Sequence, residues 1–197
     1  MAVQVSLLTV VIAVFGVYGA MQMWREYGGS TFAWHPTLLT CGFGGLGLAG
    51  VSMKQSKVST LVHGVVNTCA AACIVYGAWV IYVLKEDGGR PHFWSLSVAS
   101  WHALVGGIAV AGVGLQAALS WFTIYPHAAS RADAANHKTM GIANLVLGAV
   151  ALVTGWWKPY ADDGAAMAIL AGSLVVILVL LFTSLGDALR STVVLSV

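Results

Sequence analysis

Trp34-His35-Pro36-Thr37-Leu38 opens one long apolar run of this chain, and Trp101-His102-Ala103-Leu104 opens another in the same way. Between and after them, His63-Gly64-Val65-Val66-Asn67 and His137-Lys138-Thr139-Met140-Gly141 open two more. Two helix pairs of one design are present. Both pairs cross in the same direction, so the repeat is parallel, with its pseudo-two-fold axis along the membrane normal. The four histidines then sit at the mouths of four apolar stretches and alternate from one end of a bundle to the other, His35 facing His102 and His63 facing His137. An unpartnered polar group in hydrocarbon costs about 2–7 kcal/mol, so four placed this regularly require a common partner.

Composition sets the class. Of 197 residues 59% are hydrophobic and 8% charged, and the mean hydropathy is +0.86, whereas about 25% of an ordinary soluble domain is charged. Apolar runs measured against the roughly 20 residues that cross a hydrocarbon core predict six transmembrane helices: Val3–Trp24, Pro36–Met53, Leu61–Leu84, Leu96–Trp121, Met140–Trp157 and Ala165–Leu185. Aromatic residues mark their ends at Trp24, Tyr27, Trp34, Tyr82, Trp94, Trp121, Tyr125, Trp156, Trp157 and Tyr160, as expected at the lipid–water boundary. The expected fold is an all-α membrane protein, one domain over residues 1–197. Its central four-helix bundle, helices two to five, spans about residues 30–157, with peripheral helices at about 3–24 and 165–185. The first span has no basic n-region and is long for a signal peptide, so it reads as a retained helix.

Six spans place both termini on one side, with Lys54, Lys57, Arg131, Lys138 and Arg190. Arg25, Lys85, Arg90 and Lys158 fall on the other, together with Glu26, Glu86, Asp87, Asp162 and Asp163. Five cations against four favour cytosolic termini. A net charge of +2 says nothing about nucleic acid, and with no basic run to suggest it no nucleic-acid partner is expected. Cys41, Cys69 and Cys73 all lie within predicted spans without zinc spacing, and read as small packing residues.

Paired histidines at two depths suit two bis-histidyl haems better than zinc, which gathers four ligands around one centre. A porphyrin supplies four equatorial nitrogens and the protein two axial imidazoles, leaving no vacant position for oxygen, so one-electron transfer is the chemistry expected. Gly42, Gly44, Gly45, Gly47 and Gly50 in the second span, and Gly106, Gly107, Gly112 and Gly114 in the fourth, are expected to make room for the rings.

The run Phe32-Ala33-Trp34-His35-Pro36, then His63-x3-Asn67-Thr68, then Pro91-His92-Phe93 before His102-x3-Gly106, then Asn136-His137-x3-Gly141, resembles the cytochrome b561 family. The loop Lys85 to His92 and the Ile124-Tyr125-Pro126 turn are similar to its short domain-containing members. The resemblance implies a six-helix protein with two b-type haems, taking electrons from cytosolic ascorbate and delivering them to monodehydroascorbate or ferric chelates on the far side. It implies His35 with His102 as ligands of the non-cytosolic haem iron and His63 with His137 of the cytosolic one. Lys57 and Arg131, each six residues before a cytosolic histidine, are implied as ascorbate-binding residues, Lys54 and Lys138 as weaker candidates, and His92 as a residue near the second substrate site. His127 has no counterpart. The chain departs from the family pattern in ending the second span Gly50-Val51-Ser52-Met53-Lys54, in carrying Leu61 where some members have lysine, and in placing Trp101 before His102.

Two other readings are compatible with the residues: a quinone-linked b-type subunit of a larger redox complex, and a transporter whose histidines bind metal or relay protons. The transporter reading lacks buried carboxylates, since all seven acidic residues fall in predicted loops or flanks. The expected location is an endomembrane of the endoplasmic-reticulum or vesicle type, or the plasma membrane. The apolar outer spans could face lipid or a second copy in a homodimer.

Overall fold

A computed structural model describes residues 7–55, 59–90, 101–124 and 131–160. These residues are all helical apart from short turns. Helix α1 covers Leu7–Glu26; α2 covers Thr31–Met53, α3 Thr60–Asp87 and α4 Trp101–Ile124; α5 covers Arg131–Tyr160. Four of the described helices, α2 to α5, are long and apolar enough to cross a membrane. The sixth expected span lies outside the described residues.

The helices overrun the hydropathy boundaries at their polar ends. Helix α5 begins at Arg131, nine residues before the expected Met140, and α3 runs to Asp87 past the expected Leu84. Hydropathy locates the edge of the lipid, while backbone hydrogen bonding continues into water wherever polar side chains tolerate it. Helix α2 starts at Thr31 and passes through Pro36. It can do so because Pro36 falls in the first turn of the α-helical stretch Trp34–Leu39, where amide protons lack intrahelical partners anyway.

Local chemistry fixes the helix ends. Ser59 caps α3, its hydroxyl accepting from the Val62 amide at 3.3 Å, which holds His63 in the first turn. Gly28 and Gly29 take φ of 59° and 66°, a left-handed conformation costly for other residues, and thereby reverse the chain from α1 into α2. Two stretches widen to π-helical geometry, Thr40–Gly47 in α2 and Ser120–Ile124 in α4; such widenings are frequent at functional sites.

Helices α2, α3, α4 and α5 close a ring, each packed on the next and α5 returning to the π-helical part of α2, with α1 against the outside of α2. At the centre Leu39 and Phe43 from α2, Ile74 from α3 and Ala109 from α4 form a buried apolar layer, joined by Val110, Val113, Leu147 and Leu152. A Cβ on Gly16 would land on the backbone of Gly45, so α1 approaches α2 backbone to backbone.

Candidate functional site

Each end of the ring holds one pair of histidines. His35, at the start of α2, and His102, at the start of α4, have ring centres 6.5 Å apart with planes at 82°. His63, at the start of α3, and His137, in the second turn of α5, have centres 6.2 Å apart with planes at 78°. The pairs lie at opposite ends of one bundle: Gly77, which touches His35, is fourteen residues along α3 from His63, a rise of about 21 Å.

All four rings are held through Nδ1. His35 bonds the carbonyl oxygen of Gly77 at 2.9 Å, His63 that of Gly50 at 2.8 Å, and His102 that of Ala151 at 3.0 Å. A carbonyl only accepts, so in these three the proton is on Nδ1 and the neutral ring's lone pair is on Nε2. His137 reaches the same state by another route. Its Nδ1 lies 2.9 Å from Ser120 Oγ, and that hydroxyl gives its proton to the Gln116 carbonyl at 2.6 Å, so towards the imidazole it accepts.

The bonds are reciprocal within each helix pair. The histidine at the start of α2 grips the far end of α3, and the histidine at the start of α3 grips the far end of α2. Helices α4 and α5 repeat this arrangement through His102 to Ala151 and His137 to Ser120. The offsets from His63 to Gly77 and from His137 to Ala151 are both fourteen residues.

Between His63 and His137 lies a cavity of about 680 Å³, walled by Phe43, Asn67, Gln116 and Trp121 among others. That is within the range of roughly 300–1,000 Å³ usual for cofactor sites. Its wall is stiffened by Trp121, whose indole donates to Thr68 Oγ1 at 3.0 Å, and by Asn67, whose amide donates to the His63 carbonyl at 2.8 Å. Of the glycines expected to make room, Gly42 and Gly47 line this cavity, with Gly64 and Gly141 beside them. Others serve packing: a Cβ on Gly50 would land on the Asn67 amide, and one on Gly112 on the Asn144 amide. On the opposite side a Cβ on Gly155 would stand 2.8 Å from His102 Cε1, so that glycine makes room for the imidazole itself.

Among the cations, Lys138 is exposed and borders the cavity, Arg131 is the first residue of α5 and Lys54 directly follows Met53, the last residue of α2. All three are at the His63/His137 end. Lys57, His92 and His127 lie outside the described residues. The residues not anticipated as part of the site are Gly77, Ser120, Gln116, Asn144, Ala151 and Gly155.

The sequence model for eukaryotic cytochrome b561 matches residues 34–160, which takes in all four histidines. The chain belongs to the cytochrome b561 family. Transmembrane reductase CYB561D2 of Bos taurus is 30% identical over 142 residues, 65% of this chain and 62% of the relative. The Mus musculus protein of the same name is 27% identical over 156 residues, 70% of this chain and 68% of the relative. The matched region thus spans about three fifths of the bovine relative's length. Family membership together with four long apolar helices makes this b561 protein an integral membrane protein.

The family implies a b-type haem, and the residues fit one. With a metal–nitrogen bond of about 2 Å and about 1.1 Å from nitrogen to ring centre, two imidazoles in line across one iron have centres about 6.3 Å apart. The observed 6.5 and 6.2 Å match that spacing. Ligating histidines almost always donate the other ring N–H to a carbonyl or similar acceptor, and all four do so here.

Proposed function

We propose that this chain is a transmembrane oxidoreductase that passes electrons from ascorbate on the cytosolic side to monodehydroascorbate or ferric chelates on the other. Two haems b are held between α2–α3 and α4–α5, one by His35 and His102 and one by His63 and His137. The observation that carries the reading is the pair of equivalent imidazole couples, each spaced for one iron, at opposite ends of one bundle.

A six-coordinate bis-imidazole haem supplies one-electron transfer without a vacant site for oxygen. The chain's own part is to orient the imidazoles, exclude water and attract the donor. The Nδ1 bonds fix each ring's tautomer and direction. The apolar layer around Phe43 and Ile74 separates the two sites with a dry, low-dielectric medium.

Ascorbate is a monoanion at neutral pH, and the cations Lys138, Arg131, Lys54 and Lys57 would draw it to the His63/His137 end. That end is the cytosolic one in this proposal, the termini lie on the same side, and His92 serves the opposite substrate site. Helices one and six complete a six-span protein around the four-helix core, in an endomembrane or the plasma membrane.

The test is a reduced-minus-oxidised optical spectrum of the purified protein with ascorbate as the only reductant. A b-type spectrum developing in full supports the reading. A colourless preparation refutes the haems, and a haem-loaded protein that only dithionite reduces refutes the donor.

A further inference from the structure

His35, His63 and His102 each present Nδ1 to a backbone carbonyl, His102 with Thr154 Oγ1 also at 3.2 Å, while His137 presents its own to a side chain, Ser120 Oγ at 2.9 Å. From this difference, and building on the haem ligation just proposed, we infer that Ser120 is a positioning residue that sets the redox potential of the His63/His137 haem apart from that of the other.

The argument begins with the hydroxyl. Ser120 is 5% exposed and sits where α4 widens into its π-helical turn, which swings Oγ towards α5. Its single proton goes to the Gln116 carbonyl at 2.6 Å, leaving only lone pairs for the imidazole. Gln116 holds the same histidine from a second direction, its amide donating to the His137 carbonyl at 3.0 Å. Asn144 in turn fixes Gln116 by donating to Oε1 at 2.8 Å. The three side chains therefore lock both the ring and the backbone of His137 onto α4.

A hydroxyl oxygen is a poorer acceptor than an amide oxygen, whose negative charge is raised by resonance with the nitrogen. The Nδ1–H of His137 is accordingly less polarised than those of His35, His63 and His102. A less polarised N–H leaves the imidazole a weaker donor to iron, and hydrogen bonding to the axial ligand is one of the levers on haem potential. Iron(III) loses more from the weaker donor than iron(II), so the His63/His137 haem has the higher potential as far as this bond decides. The sequence motif repeats across the two halves, but this acceptor does not.

The experiment uses the full-length haem-loaded protein and four variants, with potentiometric titration and low-temperature electron paramagnetic resonance as readouts. The affected haem is the one whose signal disappears in His137→Ala. Ser120→Cys keeps the size and replaces oxygen by sulfur, a weak acceptor. It raises the midpoint of that haem and shifts its low-spin g values, while the other haem stays where it was. Ser120→Thr keeps the hydroxyl and returns both readouts to wild type. Should Ser120→Cys fail to load haem, Ser120→Ala removes the acceptor without added bulk and must move the midpoint in the same direction. Unchanged midpoints in both small variants, equal shifts of the two haems, or a Thr variant that behaves like Cys overturns the inference and leaves the haem ligation intact. Absence of haem from the wild-type protein overturns the ligation itself.

Discussion

His35 and Gly77, forty-two positions apart in the chain, are joined by a bond of 2.9 Å from the imidazole Nδ1 to the carbonyl oxygen. Because the acceptor is backbone, no side-chain truncation removes it, and only displacement of the helix can. Gly77 permits the approach: a Cβ there would stand 3.1 Å from Leu38 Cβ and 3.3 Å from the His35 carbonyl. Gly77→Val should therefore push α2 away from α3 at that end and strip the His35/His102 haem while the His63/His137 haem remains. Pyridine haemochrome assay against protein concentration measures the loss, and full haem content in the variant would contradict this account.

Selectivity should also appear when ligands are removed directly. His63→Ala is expected to lose one haem and keep the one held by His35 and His102, and His102→Ala to do the reverse. The two residual proteins should give different optical spectra, because the imidazoles they retain have different Nδ1 acceptors. Identical residual spectra, or loss of both haems from either variant with the fold retained by circular dichroism, would argue against two independent sites.

The pairing of histidines was legible in the sequence because a parallel repeat of helix pairs forces equivalent positions to the same membrane face. What holds each ring was not. Three acceptors are main-chain carbonyls, which every residue possesses, so composition carries no trace of them. The one faint signal is the shared fourteen-residue offset from His63 to Gly77 and from His137 to Ala151, a small residue in both cases. The glycines misled in part for a related reason: glycine marks close approach without naming what approaches. At Gly45 the neighbour is the backbone of Gly16, and at Gly50 it is the Asn67 amide. Helix ends were blurred because hydropathy follows the lipid edge and not the backbone ladder.

Donor docking should be electrostatic. Lys138 borders the cavity beside His137, and Arg131 and Lys54 lie at the same end of the bundle. Lys138→Glu, Arg131→Glu and Lys57→Glu should each slow reduction by ascorbate in stopped-flow absorbance measurements without lowering haem content. The wild-type rate should fall as salt rises, since the Debye length is only about 8 Å near 0.15 M, and the charge-reversed proteins should lose part of that salt dependence. Rates and salt slopes equal to wild type in all three would remove the cationic rim from the mechanism.

The apolar layer between the two sites makes a last, purely steric demand. Phe43, 6% exposed, lays its ring where a Cβ on Gly148 would be, with Phe43 Cγ only 2.9 Å from that position. Leu39, Ile74 and Ala109 pack around Phe43 in the same layer. Gly148→Ala should thus destabilise the bundle by about 1–3 kcal/mol, the usual cost of overpacking a dense core. Phe43→Leu should be destabilising by itself, since it trades an aromatic ring for a smaller side chain. Together the two should cost less than their sum, with a coupling of about 1–2 kcal/mol, because the shorter leucine vacates the space the new methyl needs. Thermal unfolding of the four proteins in one detergent, followed by far-ultraviolet circular dichroism, closes the cycle. Strict additivity would mean that α2 and α5 do not interlock at this level, and that the layer separating the two histidine pairs is packed by other residues.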